Sequence, residues 1–594
     1  MALTYKHPGV YIEEISTIPP SIAQVETAIP GFVGYTAKRE KNGVAFAINN
    51  PVRITSLLEF EVFFGGAFPE VLEVTINEPE PGKLIPKIDI SPATTVSGYI
   101  LYYHVKMFYE NGGGPCWVVS VGTFDDTPEI TKSELKLGLQ ACEREDEITL
   151  LLIPEITALT SGTDIKELND AMLAQCAKLQ DRFTIMDTPQ AGLTTAYLAA
   201  DKFRNDFVSA DNLKYGATYY PQIQTGATYN RVADENIKIA ADNRGGSNLG
   251  IYKKVVNTKK AITKIIDTAA VVAPVKATAT ITINGITLTG HSIAIAGFSF
   301  TFGGTGGIVI GADETATAAA LTAAIAGNAD LMTLVGVAAN LAVVTITAKT
   351  AGNAGNTIPI AYDPKGNIPK IALSSSFLKG GFDSNDFALF NQIKAALDAY
   401  TVPLYPSGII AGIMARVDND RGVWKAPANV SLLTVDKPLI TISDEEQDYL
   451  NVDATSGKSI NVIRKFAGRG TLVWGARTLA GNDNEWRYVP VRRLFIMVEE
   501  SIKKATEFVV FEPNDAKTWM RVKTMCQNFL NQLWRQGALA GAKPEDAFFV
   551  NVGLGITMTA LDILEGRLII EIGMAAVRPA EFIVLKFSHL LAKS

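Results

Sequence analysis

The stretch EPNDAKTWMRVKTMCQNFLNQLWRQGALAG, residues 512–541, constrains the fold more than any other. Pro513 stops what precedes it, Asn514-Asp515 offers an N-cap, and Gly537 offers a C-terminal stop. Between these marks Trp519, Val522, Cys526, Phe529, Leu530, Leu533 and Trp534 recur at helical spacing on one arc. Lys517, Arg521, Thr524, Asn528, Asn531 and Arg535 occupy the opposite arc. Two Trp and a Phe on one arc predict a helix anchored in a core. The basic-polar ridge is then left to solvent or to a partner, and spacing alone does not choose between them.

Ahead of that helix the chain alternates strand and helix patterns. GFVGY (31–35), CWVVSVG (116–122), ITLLLIP (148–154) and FTIMD (183–187) read as strands, and LNDAMLAQCAKLQ (168–180) reads as a helix. Strand, helix and strand over 148–187 predict a β–α–β unit with parallel strands and hence an α/β core. Composition shifts near Lys253, where aromatic and charged residues thin out until about Gly381. There ATATITINGITLTGHSIAIAGFSFTFGG (277–304) alternates with period two around Asn284-Gly285 and Gly290. ADETATAAALTAAIAGN (312–328) reads as a helix and AVVTITAKTAGNAGN (342–356) as a strand and turn. This block predicts an inserted β-rich domain with its own core.

Helical and strand patterns return over 386–400 and 404–429, and RGTLVWGART (469–478) reads as a strand. Residues 488–515 form a long amphipathic helix ending in a short extended piece, and FFVNVG (548–553) and GRLIIEIGMAAV (566–577) are strand-like. The resulting division is an N-terminal β-arm (1–20), a core (21–252 and 382–480), the insert (253–381) and a C-terminal domain (481–594). The arm contains VYIEEIS between Pro8-Gly9 and Pro19-Pro20, and FIVLKF (582–587) is a second candidate strand at the other end. Val10, Tyr11, Ile12, Glu13, Ile583, Val584 and Leu585 either edge the chain's own sheet or pair with another subunit.

With 594 residues, 47% hydrophobic and 19% charged, the chain is globular and exceeds a single core. A net charge of −7 argues against whole-chain nucleic-acid binding. Cys116, Cys142, Cys176 and Cys526 are scattered, which suits reduced core thiols. The opening residues lack the pattern of a secretory signal, and no run of 18 apolar residues predicts a membrane span.

Catalytic signatures are poor. TSGKS (455–459) resembles the end of a phosphate loop, but Val452 stands where its first glycine belongs, so a polar loop is expected. GLGITM (553–558) lacks the third glycine of a dinucleotide fingerprint. His7, His104, His291 and His589 have no metal-ligand spacing and no nucleophile motif beside them. Asp444-Glu445-Glu446 reads as a solvated loop or a helix start. No catalytic residue, metal or cofactor is expected.

Three separated stretches resemble contractile tail sheath proteins of myophages, R-type pyocins and extracellular contractile injection systems. They are KHPGVYIEEIS…AIPGFVGYT (6–36), YPSGIIAGIMARVDNDRGVWKAPAN (405–429) and WGARTLA…FEPNDAKTWMRVK…FLNQLWRQGALAGA (474–542). The resemblance implies a non-catalytic α/β core of subtilisin-like topology, lacking an Asp–His–Ser arrangement. It implies homo-oligomerisation as hexameric rings stacked helically around an inner tube protein, and contraction that drives the tube through a target envelope. Baseplate and terminal cap proteins are further implied partners, with sister sheath paralogues as an option; nucleic acid and membrane insertion are not implied. It also implies that the terminal arms invade neighbouring subunits, that the insert faces outward, and that a C-terminal helix faces the tube. Lys517, Arg521, Thr524, Asn528 and Arg535 are the tube-facing candidates. Assembly in the cytoplasm, with release by lysis as part of a particle, follows from the same resemblance. A different self-assembling subunit, such as a capsid or pilus protein, and a subtilisin-type hydrolase are the other classes weighed.

Overall fold

The computed structural model describes residues 22–78, 85–124, 129–190, 192–193, 195–233, 237–243, 276–351, 353–365, 369–378 and 387–582. The arm candidates Val10, Tyr11, Ile12, Glu13, Ile583, Val584 and Leu585 lie outside the described residues. The chain is a mixed α/β protein of two compact units, one comprising 1–68, 97–227 and 401–594, the other 69–96 and 228–400.

A nine-stranded sheet organises the first unit. Its order is Val430–Ser431, Gly470–Val473, Asn461–Phe466, Gly216–Tyr220, Phe183–Asp187, Leu150–Leu152, Pro30–Thr36, Cys116–Thr123, Pro51–Ile54. From Asn461–Phe466 to Cys116–Thr123 every neighbouring pair is parallel, and antiparallel strands close both edges. Pro30–Thr36, Leu150–Leu152, Phe183–Asp187 and Gly216–Tyr220 are buried along their whole length, which accounts for their nearly unbroken apolar sequences. The expected β–α–β unit is present: Leu150–Leu152 pairs in parallel with Phe183–Asp187 across the helix Gly162–Leu179. That helix begins earlier than its apolar pattern because Ser161 caps it, its hydroxyl accepting from the Asp164 N–H.

The C-terminal part of this unit is built from the helices Val489–Thr506 and Ala516–Arg535 and the antiparallel hairpin Phe548–Val552/Ile570–Met574. Leu494, Met497 and Val498 of the first helix share an apolar cluster with Val522, Phe529 and Leu533 of the second. Asp418 and Arg493, both buried, tie the helix Ser407–Arg421 to Val489–Thr506 through two hydrogen bonds of 3.0 and 2.5 Å. Among the described residues the hairpin forms a two-stranded sheet of its own.

In the second unit, the strand Lys276–Ile283 buries Ala277, Ala279, Ile281 and Ile283 and turns its threonines outward. It joins Val343–Ala351, Val335–Asn340 and Ile371–Leu373 in a four-stranded sheet; Phe298–Thr301, Ser292–Ile295 and Ile360–Asp363 form a three-stranded one. These strands and the helix Glu314–Ala326 share one apolar cluster running from Ala277 to Leu378, within the interval of the sequence-predicted insert. The compact unit is broader than 253–381. The helix Phe387–Asp398 places Leu389, Ile393 and Leu397 against Leu72, Val74 and Ile76, so these segments share a second cluster.

Candidate functional site

The helix read from 512–541 forms as Ala516–Arg535. Asp515 caps it, accepting from the N–H groups of Lys517 and Thr518, and Gly537 leaves it with φ +83°. Val522, Cys526, Phe529, Leu530 and Leu533 are buried as expected, and Met525 joins them. The tryptophans differ from expectation: both are only half-buried. Each lies at the edge of the core with its indole N–H satisfied nearby, Trp519 by Asn514 Oδ1 at 2.6 Å and Trp534 by the Gly541 carbonyl at 3.0 Å.

On the opposite arc Lys517, Arg521, Asn528 and Arg535 are exposed. The Arg521 guanidinium lies 4.6 Å from the centre of the Phe508 ring. Thr524 departs from the ridge: it is half-buried, and its hydroxyl donates to the Met520 carbonyl of its own helix. At the N-terminal end of this helix, Asn514 reaches the Arg567 carbonyl of the hairpin's connecting loop at 3.0 Å.

A second polar constellation was not foreseen. Beyond the C-terminal ends of the parallel strands lie Glu155, His104, Asp187 and Ser407, all buried. Glu155 accepts from the backbone N–H groups of Tyr35 at 2.8 Å and Leu101 at 3.3 Å, meeting the start of the helix Leu101–Glu110. Gly34 makes room for it, since a β-carbon there would stand 2.7 Å from Glu155 Oε2. Burial pushes the Glu155 carboxyl up to about 8, although the backbone N–H groups pull the other way. Asp187, at the end of its strand, accepts from the Ser407 N–H at 2.9 Å and the Ser407 hydroxyl at 2.5 Å; burial raises its pKa to about 7.

His104 Nδ1 accepts from the Gly408 N–H at 3.3 Å and stands 3.2 Å from Ser407 Oγ. Its Nε2 is buried without a hydrogen-bond partner, and burial drops its pKa to about 3.

These contacts correct the expectation that no Asp–His–Ser arrangement exists, because the three residue types do meet. Their geometry is not that of a nucleophilic relay. A relay places the imidazole between serine and carboxylate. Here the Ser407 hydroxyl donates its hydrogen bond straight to Asp187, and Nδ1 accepts from the Gly408 N–H. His104 and Ser407 are each 1% exposed. The arrangement instead caps the helix Ser407–Arg421: Asp187 takes its first N–H, and a negative group is favoured at that end of the helix dipole. Sequence reasoning missed Glu155 and Asp187. The available signal was an acidic residue ending, or just following, a largely apolar strand in LLLIPE and FTIMD.

The other sequence candidates fall into structural roles. Lys458 of TSGKS is buried, its ammonium donating to the Arg204 carbonyl and, at 2.8 Å, to that of Val208. Asp444–Asn451 is a helix with a Ser443–Glu446 capping box, so the acidic triplet is a helix start. His291 is buried against Tyr362, with Nδ1 2.6 Å from the phenol oxygen. The four cysteines are free and buried. Among the described residues no metal-ligating cluster occurs and no helix is long and apolar enough to cross a membrane.

Segments distant in sequence meet in a groove of about 980 Å³. Its lining includes Arg421, Trp424 and Lys425 from RGVWKAPAN, Trp474, and the segment Val577–Phe582. Arg477 holds Glu581 beside it with hydrogen bonds of 2.6 and 2.9 Å.

Residues 130–479 match the phage tail sheath protein central domain, and residues 481–588 match the phage tail sheath C-terminal domain. The tail sheath protein of Enterobacteria phage T4 is 30% identical over 166 residues, covering 25% of this chain and 24% of that protein. The tail sheath protein of Burkholderia phage BcepMu is 30% identical over 138 residues, covering 22% and 28%. The chain thus spans about a quarter of the length of these curated relatives. Similarity to solved structures runs much further. A PVC sheath complex of an extracellular contractile injection system, in the contracted state, matches with TM-score 0.51 and 25% identity over 99% of this chain and 98% of that one. The contracted helical sheath of the anti-feeding prophage matches with TM-score 0.50 and 25% identity over 98% and 99%. With both sheath domains matched in order and together covering most of its length, the chain belongs to the phage tail sheath protein family.

Proposed function

We propose that this chain is the structural subunit of a contractile sheath, polymerising as stacked hexameric rings around an inner tube and contracting to drive that tube through an envelope. The observation that carries the reading is the near end-to-end likeness to a contracted PVC sheath complex. The subunit works without catalysis, on a core of subtilisin-like topology whose Asp187, Ser407 and His104 serve as a cap. A hydrolase would need Ser407 open to substrate and hydrogen-bonded to a base, and its burial weighs against that.

Within the same reading, the termini are arms that pair with neighbouring subunits. The hairpin Phe548–Val552/Ile570–Met574 supports this, since among the described residues it is a sheet of two strands, and such a sheet gains by adding strands. Lys517, Arg521, Asn528 and Arg535 face an acidic surface of the tube protein, with Thr524 behind them. The apolar cluster Ala277–Leu378 belongs to an outward-facing insert that makes no lattice contact. Baseplate and cap proteins close the stack, which assembles in the cytoplasm and leaves by lysis.

Negative-stain microscopy of the purified protein tests the reading: tubes of stacked rings are expected, and a protein that stays monomeric at high concentration would refute it. Deleting residues 1–16 should leave circular dichroism unchanged and abolish the tubes; full-length sheaths from the truncated protein would remove the arms from the reading. Replacing residues 255–380 by a short Gly/Ser linker should leave sheaths intact.

A further inference from the structure

We propose that the groove between RGVWKAPAN and the segment Val577–Phe582 receives the acidic N-terminal segment of a second copy, with Glu13 and Glu14 meeting Arg421 and Lys425. The inference rests on the proposal that the N-terminal arm crosses between subunits, and adds where it docks and by what chemistry.

The groove carries unbalanced positive charge. Arg421 and Arg578 are exposed, and among the described residues Lys425 donates to the backbone carbonyls of Ala426 at 2.6 Å and Ala428 at 3.4 Å. None of the three has a carboxylate at ion-pair distance among the described residues. Burial, reinforced by the charge of Arg421, lowers the pKa of Lys425. These two cations thus sit close enough to repel each other.

The acidic residues of the lining do little to offset this. Asp444 is committed to Arg464 at 2.7 Å and Glu581 to Arg477, which leaves Asp448. Trp424, Trp474, Ala426, Ala476 and Val577 supply apolar wall between the charges. A groove of this kind fits a peptide carrying both apolar and acidic side chains.

The chain contains such a segment, VYIEEIS at 10–16. The opposite terminus has the wrong sign: residues 583–594 carry Lys586 and Lys593 and no acidic side chain. The described chain begins at Ile22, which packs in the apolar cluster of the two C-terminal helices and not in the groove lining.

Charge exchange tests the pairing. Arg421→Glu/Lys425→Glu and Glu13→Lys/Glu14→Lys should each lose pelletable sheath while keeping wild-type circular dichroism. Combining all four changes in one chain should restore sheaths, and so should an equimolar mixture of the two defective proteins, because each arm then finds an oppositely charged groove. Rescue by the combined chain but not by the mixture would place the contact within one subunit and overturn the second-copy assignment. No rescue by either would overturn the groove as docking site; if deletion of residues 1–16 still blocks assembly, the arm reading survives that result. Assembly unaffected by that deletion would remove both. If the groove reversal fails to fold, Glu13→Gln/Glu14→Gln leaves the groove untouched and must by itself weaken assembly; unchanged sheath yield would overturn the proposal.

Discussion

The helices Ser407–Arg421 and Ala516–Arg535 both begin on an aspartate that accepts backbone N–H groups, and they differ in where that aspartate comes from. Asp187 reaches the first helix from the end of a distant strand and is buried, so its pKa rises to about 7. Asp515 precedes its own helix, is exposed, and has its pKa lowered by the N–H groups of Thr518 and Lys517. A cap supplied by tertiary structure fixes a helix against the sheet. A cap supplied by the helix's own sequence merely starts it, leaving one face for the core and the other for a partner.

The largest test of that contrast is steric. Gly412 faces the helix Leu101–Glu110 so closely that a β-carbon would lie 2.4 Å from the Phe108 carbonyl oxygen. Gly412→Ala should therefore destabilise the subunit by ~1–3 kcal/mol, read as a lower urea midpoint, because backbone cannot step aside cheaply. Wild-type stability would mean the two helices are not locked together.

Next is pH. Glu155 and Asp187 have folded pKa values of about 8 and about 7, well above the ordinary range of a carboxyl group, so the folded chain holds protons that the unfolded chain has lost. Their contribution to stability falls as pH rises through that range. His104, lowered from 6.5 to about 3, acts oppositely, and its effect is complete by about pH 6.5. Between pH 6.5 and 8.5 the buried carboxyls should make the urea midpoint fall. Glu155→Gln, which keeps a carbonyl acceptor, should flatten that fall by ~1–2 kcal/mol. An unchanged slope would show that Glu155 is not buried in the folded chain.

Two smaller effects concern the exposed helix. Asp515→Ala should cost about 1 kcal/mol, the usual value of an N-cap, with no new pH dependence above pH 6. Lys517→Glu/Arg521→Glu should change subunit stability by less than ~0.5 kcal/mol. In assembled particles the same pair should shift sheaths toward contracted or tube-free forms, and added salt should push the wild type the same way. Particles that stay extended in wild-type proportion would remove this ridge as the tube contact.

Much of the architecture was legible because strong local signals agreed with the packing. Pro513, Asp515 and Gly537 bracket a helix whose apolar arc is the buried one, and the period-two run 277–283 became a strand with alternate residues buried. Residues whose role depends on distant partners were not legible. His104 looked isolated because Ser407 lies 303 residues away and reaches it only through the fold. Trp519 looked like a core residue, but periodicity reports direction around a helix and not depth, so its half-buried position at the rim could not be read. For that reason Trp519→Ala should cost less than the ~3–5 kcal/mol of a fully enclosed ring.

The order of the nine-stranded sheet also sets a schedule for synthesis. The strand Gly216–Tyr220 pairs on one side with Phe183–Asp187, made shortly before it, and on the other with Asn461–Phe466. At about 5–20 residues per second, the ~240 residues between these partners take roughly 12–48 s to emerge from the ribosome. Throughout that interval the growing sheet ends on an open parallel edge while most of the second unit is still being made. An unpaired edge is a template for any strand that meets it, including the same strand on the next nascent copy of one messenger. Codon choice between residues 221 and 460 therefore governs how long each subunit is vulnerable: slow translation lengthens the exposure and fast translation closes it.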